Sequence, residues 1–178
     1  RDVRSGLEIL NVPEQIDSNI SEFGKKQIEH MAKVLEEANF VNRVELVVHS
    51  PLIRARETSL GMLGCKAPDT TREGITVYES HLMKEKTPRE WLYKTSFNDR
   101  VVQFEEFLSK QGESKIALVG HSQFFKHMLG LNYLFGNCDV IHAEFDPNSA
   151  PKWSNVETVH FCPLTSETGP EPVDKKSS

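Results

Sequence analysis

Apolar helical faces and short β-branched runs alternate along the first half of the chain. Residues 21–38 carry apolar side chains at helical spacing on one face and lysines and glutamates on the other, which predicts an amphipathic helix. The valine-rich run 44–48 predicts a strand. Pro51 suits the first turn of the next predicted helix, and Gly64 is typical of a helix end.

The same alternation continues in the middle of the chain. Residues 75–78 predict a short strand, and residues 88–92 predict a short helix that begins with a proline. A longer helix follows, for which Asn98 or Asp99 is the predicted cap and Gly112 the predicted stop. Strands that alternate with helices in this way predict an α/β fold.

The most apolar run, residues 116–119, is predicted to be the central strand of the sheet, buried on both faces. Gly120 permits a sharp turn after it, and Ser122 is predicted to cap the helix that follows. His121 is therefore expected at the carboxyl end of a strand, where open α/β sheets bind ligands and helix N-termini attract anions. A histidine that merely occupies a strand–helix loop is the alternative interpretation.

Two late β-rich runs complete the predicted architecture. Residues 140–145 and 156–161 are separated by prolines and an asparagine, which predicts a hairpin-like edge. Together with the helices, the strands predict a three-layer α/β/α sandwich with a mostly parallel central sheet. Residues 1–164 are expected to form one domain, and residues 165–178, rich in Pro, Ser, Glu and Lys, are expected to be a disordered tail.

Composition and charge narrow the class of protein. The 178 residues carry a formal net charge of −5, which argues against nucleic acid as the main partner. The sequence has no apolar run near the roughly 20 residues that span a bilayer, so no membrane partner is expected. The three cysteines form no Cys-x-x-Cys pair, which favours a reduced, cytoplasmic protein and suggests no zinc site.

Three cationic side chains are predicted to follow strands: Arg4, Arg54 and His121. Because the carboxyl ends of parallel strands meet at one edge of a sheet, these side chains are expected to converge. A guanidinium stays charged and grips two oxygens of a phosphate, and an imidazole adds a donor whose charge changes near neutral pH. The set is suited to a phosphate monoester. For either arginine alone, a solvated surface position is the alternative.

Several stretches resemble the histidine phosphatase superfamily, whose fold is phosphoglycerate-mutase-like. Residues 19–27 are similar to the family's Leu-Thr-x-x-Gly-x-x-Gln helix start, and residues 50–58 are similar to its Ser-x-Leu-x-Arg-Ala-x-x-Thr segment. Residues 119–122, Val-Gly-His-Ser, resemble the second-histidine motif, and residues 137–153 resemble the family's carboxyl end. The resemblance spans nearly the whole predicted domain. It implies a phosphatase rather than a mutase, because the longer mutase insertions are missing from the sequence.

The resemblance also implies a mechanism without metal or cofactor. In the family, the histidine of an Arg-His-Gly motif attacks phosphorus and becomes phosphohistidine, while arginines and the second histidine hold the phosphate oxygens. A carboxyl group protonates the leaving oxygen and later activates water. Carried onto this chain, the implied phosphate-binding residues are Arg4, Asn11, Arg54, His121 and Ser122.

The position of the nucleophile departs from the family pattern. Residues 3–6, Val-Arg-Ser-Gly, align with Val-Arg-His-Gly, and Asn11, seven positions after Arg4, supports this register. Ser5 then replaces the nucleophilic histidine, and a serine hydroxyl needs a neighbouring base to react. Impaired turnover or an inactive phospho-ligand binding module is therefore expected. An altered form of an active enzyme, or an Arg-His-Gly upstream of the given residues, are the alternatives.

The proton donor is predicted to be Glu85, which follows Leu-Met-Lys and loosely matches the family's Leu-x-Glu. Glu79 is the competing candidate, and a solvated loop carboxylate is the third interpretation. His49 receives no catalytic role, because a packed strand-end histidine explains it. No motif names the substrate, so the expected ligand is a phosphorylated small molecule or a phosphoprotein.

An α/β-hydrolase is the alternative from another enzyme class. Residues 120–124, Gly-His-Ser-Gln-Phe, resemble the Gly-x-Ser-x-Gly elbow, which would make Ser122 the nucleophile. Asp139 or Asp146 and then His160 follow in the order that this class requires. The last glycine of the elbow is missing, however, and the two arginines would have no role. The phosphate-binding interpretation is therefore preferred.

Overall fold

The computed structural model describes residues 17–164. The predictions made for Arg4, Ser5, Asn11 and the tail at 165–178 fall outside the described residues.

The described helices and strands follow the predicted alternation. The helices are α1 (Glu22–Glu37), α2 (Ile53–Leu63), α3 (Pro88–Leu92), α4 (Lys94–Ser109) and α5 (Ser122–Met128), the strands are β1 (Leu46–His49), β2 (Thr76–Glu79), β3 (Ile116–Val119), β4 (Val140–Phe145) and β5 (Trp153–His160), and single 3-10 turns cover Val41–Arg43 and His81–Met83.

The three strands β1, β2 and β3 form a parallel sheet in the order β2-β1-β3. In its register, His49 at the end of β1 lies opposite Glu79 of β2 and Val119 of β3. The carboxyl ends of all three strands therefore meet at one edge, as predicted. The strands β4 and β5 pair antiparallel, which confirms the predicted hairpin. Among the described strands, however, they form a separate two-stranded sheet and not an edge of the parallel one, and β5 begins at Trp153 and not at residue 156.

Helices cover both faces of this sheet, which confirms the three-layer sandwich. On one face, Val47 packs in a core cluster with Leu35 of α1 and Leu63 of α2. On the other face, Leu46 and Val48 of β1 pack against α4 and α5. The large side chains that fill this second layer are Phe97, Phe104, Leu108, Phe124 and Met128.

The prediction that residues 116–119 form the fully buried central strand is wrong in one respect. The strand exists with the predicted bounds, but its four side chains are only half-buried. In the described sheet β1 lies between the other two strands, and all four of its residues are buried. Burial follows from a strand's position in the sheet, which an apolar run does not specify.

The N-caps of α1 and α5 are Ser21 and His121. Ser21, predicted as the first residue of the helix, is the N-cap of α1, and its Oγ accepts a hydrogen bond from the Gly24 amide at 3.0 Å. Ser122 is not the N-cap of α5. It is the first helical residue, and the N-cap is His121, whose backbone is extended at φ −121° and ψ 143°. The correction moves His121 from the loop onto the helix end itself.

The predicted start of α4 is also wrong. The helix begins at Lys94, so Asn98 and Asp99 lie in its interior. Tyr93 ends α3 and is at the same time the N-cap of α4, so the chain turns at a single residue between the two helices. In the described part of the chain, no helix is long and apolar enough to cross a membrane.

Candidate active site

The carboxyl edge of the sheet holds His121 in a fixed orientation. The His121 side chain is buried, and its Nε2 lies 2.8 Å from the Ser50 Oγ, which belongs to the residue after β1. Ser50 is itself fully buried, and its Oγ accepts a hydrogen bond from the Leu52 amide at 3.3 Å. The imidazole is thus held between two neighbouring strand ends.

Glu85 lies on the other side of the same ring. Its Oε2 is 4.0 Å from the Nδ1 of His121, and its Oε1 accepts a hydrogen bond from the Lys86 amide at 3.1 Å. Burial raises the pKa of the Glu85 carboxyl, although the Lys86 amide and the Arg54 and Arg100 cations act in the opposite direction. A carboxyl with a raised pKa keeps its proton closer to neutral pH, as a general acid must.

Burial and neighbouring cations determine the charge state of His121. Burial, followed by the cations of Arg54 and Arg100, lowers the pKa of His121 to about 3. The ring is therefore neutral at pH 7. Arg54 acts on both His121 and Glu85, so the structure brings these three predicted site residues together.

The start of α2 places Arg54 at this edge. Pro51 lies before the helix, not in its first turn as predicted, and Leu52 is the N-cap. The Ile53 amide, at the first position of the helix, donates a hydrogen bond to the Asp17 Oδ1 at 2.6 Å. Asp17 therefore caps this amide from outside the helix. Arg54 is the second residue of the helix and is half-buried.

Glu79, the competing proton donor, faces other partners. Its Oε2 lies 3.6 Å from the Arg56 Nε, and its Oε1 lies 3.9 Å from the Nε2 of His81. Arg56 also reaches a carboxylate oxygen of Asp69 at 3.5 Å. The geometry therefore favours Glu85 as the carboxyl that acts beside His121.

His49 is a packed strand-end histidine, as its interpretation from the sequence had it. Its Nε2 accepts a hydrogen bond from the Ala67 amide at 2.9 Å, so its Nδ1 carries the proton and donates to the Ser50 carbonyl at 2.9 Å. Burial lowers the pKa of His49. Both ring nitrogens hold backbone, which leaves the side chain a structural role.

The carboxylates required by the hydrolase alternative hold their own loops. Asp139 accepts hydrogen bonds from the Gly136 and Cys162 amides, each at 2.8 Å. Asp146 accepts from the Asn148 amide at 2.9 Å and from the Ser149 hydroxyl at 2.6 Å in the β4–β5 turn. This use of both carboxylates, together with the sheet topology, disfavours an α/β-hydrolase.

Two residues of the site have no assigned part in the sequence analysis: Ser50 and Arg100. Ser50 had a signal, because it is the first residue of the Ser-x-Leu-x-Arg-Ala segment. Arg100 had none, because it lies in the middle of a helix and its partners come from another loop. Among the described residues, no group of three or more His, Cys, Asp or Glu side chains could hold a metal ion.

Solved structures of mycobacterial enzymes share this fold. A mycobacterial glucosyl-3-phosphoglycerate phosphatase in complex with VO3 is 18% identical, with a TM-score of 0.57 over 85% of this chain and 89% of that chain. Its native structure is 16% identical, with a TM-score of 0.54 over 81% and 88% of the two chains. Mycobacterial hydrolase 1 is 16% identical, with a TM-score of 0.52 over 83% and 88%.

At the level of sequence, no protein-family model and no curated protein matches the chain. Identities this low establish the fold alone. The chain has the phosphoglycerate-mutase-like fold of these mycobacterial phosphatases, the fold that its resemblance to the histidine phosphatase superfamily implied.

Proposed function

We propose that the chain binds the phosphoryl group of a phosphate monoester at the carboxyl edge of its parallel sheet. The observation that carries this proposal is the meeting of Arg54, His121 and Glu85 at that edge. The guanidinium and the imidazole offer donors to phosphate oxygens, and Glu85 offers a proton. A phosphatase of the same fold was solved in a complex with VO3, an oxyanion of vanadium, which supports oxyanion binding as the function of this chain.

The reaction proposed is that of a phosphatase. The side chain at position 5 attacks phosphorus while the bond from phosphorus to the leaving oxygen breaks, and Glu85 transfers its proton to that oxygen. A serine at position 5 also releases its hydroxyl proton to solvent in this step and takes a proton back when water displaces it from phosphorus. Water then attacks the phosphorylated side chain, and the Glu85 carboxylate accepts a proton from this water. The residues that would hold the phosphate oxygens are Arg4, Asn11, Arg54, His121 and Ser122.

Ser5 limits this chemistry, so the proposed enzyme turns over slowly as the sequence stands. A serine hydroxyl is far less acidic than imidazolium and cannot form phosphohistidine. A second candidate function, a binding module that holds a phosphorylated ligand without hydrolysis, rests on the same residue. Both candidates take a phosphorylated small molecule or a phosphoprotein, and the three free thiols at Cys65, Cys138 and Cys162 support a reducing, cytoplasmic location.

Hydrolysis of p-nitrophenyl phosphate by the unaltered chain and by Ser5→His tests the proposal. We expect slow turnover by the unaltered chain. Ser5→His should gain roughly 10³-fold or more, because losing a nucleophile costs a hydrolase up to about 10⁶ in kcat. The gain should be accompanied by an acid-labile phosphate on the protein. Ser18→His is the matched control, since Ser18 is exposed, and it should gain nothing.

The possible outcomes separate the candidates. Rapid turnover by the unaltered chain would contradict the impairment assigned to Ser5. No turnover by either form, with phosphate still bound, would favour the binding module. If the chain shows no turnover and does not bind phosphate, the proposed function is overturned altogether.

A further inference from the structure

The loop that carries Glu85 is held by one guanidinium on another element. Arg100, in the middle of α4, donates from Nη1 to the carbonyls of Leu82 at 2.6 Å and Lys84 at 2.7 Å. Its Nη2 reaches the Glu85 carbonyl at 3.5 Å. Three carbonyls on either side of the proposed proton donor therefore converge on a single cation.

The remaining donors of Arg100 grip a buried carboxylate. Nε and Nη2 donate to Oε1 and Oε2 of Glu90, each at 2.8 Å. A guanidinium has five N–H groups, and five acceptors surround this one. Only 15% of the Arg100 side chain and 11% of the Glu90 side chain are exposed, so the pair is shielded from water.

Glu90 extends the grip back to the loop. Its Oε2 also accepts hydrogen bonds from the Thr87 amide at 2.9 Å and from the Thr87 hydroxyl at 3.1 Å. Burial acts to raise the pKa of Glu90, but the hydrogen bonds from Arg100 and Thr87 lower it overall, so the carboxylate is charged at neutral pH. The loop is thus fastened on both sides of Glu85.

The same guanidinium contacts the layer that carries His121. Its Cζ lies 4.9 Å from the Phe97 ring centroid and 5.6 Å from that of Phe124, which belongs to α5 and follows the N-cap His121. Arg100 therefore connects the loop of Glu85 with the helix of His121. A displacement of this side chain changes the spacing between the carboxyl and the imidazole.

We infer that Arg100 is a positioning residue that holds the Glu85 carboxyl within reach of the leaving oxygen of a bound phosphate monoester. The inference rests on the proposed function. It gives Arg100 no contact with the substrate. A lysine at position 100 keeps the positive charge near His121, so the effect of Arg100→Lys is expected on the proton transfer that Glu85 performs, and it differs from the effect of removing an arginine that binds phosphate.

A first experiment needs no turnover. Amide hydrogen exchange is compared between the full unaltered chain and its Arg100→Lys variant. The Lys86 and Thr87 amides should exchange at least about tenfold faster in the variant, while the amides of β1 keep their protection. Glu90→Gln should loosen the same amides, which covers the case in which Arg100→Lys does not fold. Arg89→Lys, on the exposed face of α3, is the matched control. Unchanged exchange at Lys86 and Thr87 would overturn the inference.

A second experiment uses leaving groups in the Ser5→His background. Nitrophenolate leaves without a proton, whereas the alkoxide of n-butyl phosphate needs one, so in the transfer of phosphate to position 5 only the second substrate depends on the Glu85 proton. Arg100→Lys should lower kcat/KM for n-butyl phosphate at least about tenfold and leave kcat/KM for p-nitrophenyl phosphate nearly unchanged, because kcat/KM reports the transfer step and not the hydrolysis of the phosphorylated enzyme, which is common to both substrates. Combined with Glu85→Gln, it should add no further loss.

The outcomes distinguish the positioning role of Arg100 from the proposed phosphatase reaction. Equal losses on both substrates, or losses that add to those of Glu85→Gln, would overturn the positioning role of Arg100 and leave the proposed phosphatase intact. A Ser5→His chain that hydrolyses neither substrate would remove the proposed phosphatase reaction, and the role of Arg100 with it.

Discussion

Anion binding at this edge should take up a proton, because burial and two neighbouring cations keep His121 neutral at pH 7. The pKa of His121 is about 3, lowered by burial and then by the Arg54 and Arg100 cations. Two unit charges about 4 Å apart interact by about 4 kcal/mol at an effective dielectric constant of about 20. This energy equals about three pKa units for each negative charge that arrives.

A bound dianion therefore brings the pKa of His121 to about 6 if one charge acts on the ring, and to about 9 if both act. The sign follows from these values. Anion affinity is nearly independent of pH above the pKa of the occupied site and rises by almost tenfold for each pH unit below it. Inorganic sulfate is the suitable probe, because its own charge is constant over this pH range.

Calorimetry in two buffers of different ionisation enthalpy counts the protons taken up. Glu85, whose pKa burial raises, would also gain a proton as sulfate binds, so the measurement is made in Glu85→Gln. In that variant at pH 6 we expect uptake of about half a proton if the pKa of the occupied site is about 6, and of nearly one proton if it is about 9. The uptake should disappear in Glu85→Gln/His121→Asn and persist in Glu85→Gln/His81→Asn, since His81 is an exposed histidine.

Two results would refute this reasoning. If sulfate binds to Glu85→Gln with no proton uptake, the anion does not reach the imidazole of His121. Proton uptake that survives in Glu85→Gln/His121→Asn would mean that another group answers the anion.

Two further substitutions test the site and the fold. Arg54→Ala should weaken sulfate binding more than about tenfold, because a hydrogen bond to a charged group contributes about 1.5–3 kcal/mol. The control Arg43→Ala, at an exposed position, should leave sulfate binding unchanged. If Arg54→Ala also leaves the dissociation constant of sulfate unchanged, Arg54 does not belong to the pocket. Gly61→Ala should lower the free energy of unfolding by about 1–3 kcal/mol, since its Cβ would lie 2.2 Å from the stiff Ile28 Cγ2. Gly112→Ala, with open space around it, is the control in denaturant melts, and equal stability of both variants would contradict the clash.

Features controlled by neighbouring residues could be predicted from the sequence. The amphipathic face of α1 depends on side chains three or four positions apart, so periodicity was sufficient to find it. The strand at 116–119 and the position of His121 at its end follow from an apolar run and a glycine. The resemblance to the histidine phosphatase superfamily rests on short motifs of the same local kind, and it named the fold correctly.

Contacts between distant parts of the chain were decided by the tertiary structure. The hydrogen bond between Ser50 and His121 joins residues 71 positions apart, and no local pattern in either segment indicates it. The choice between Glu85 and Glu79 likewise depended on direction in space, since both carboxylates follow β-rich sequence but only Glu85 faces the imidazole.

The charge states of the site belong to the same category. The low pKa of His121 comes from its desolvation and from cations on α2 and α4, elements that its own sequence neighbourhood does not contain. Sequence supplies the residue types and their periodicity, which are properties of neighbouring positions. Electrostatic energy depends on burial and on distances through space, and these exist only once β1, β3 and the helices have packed.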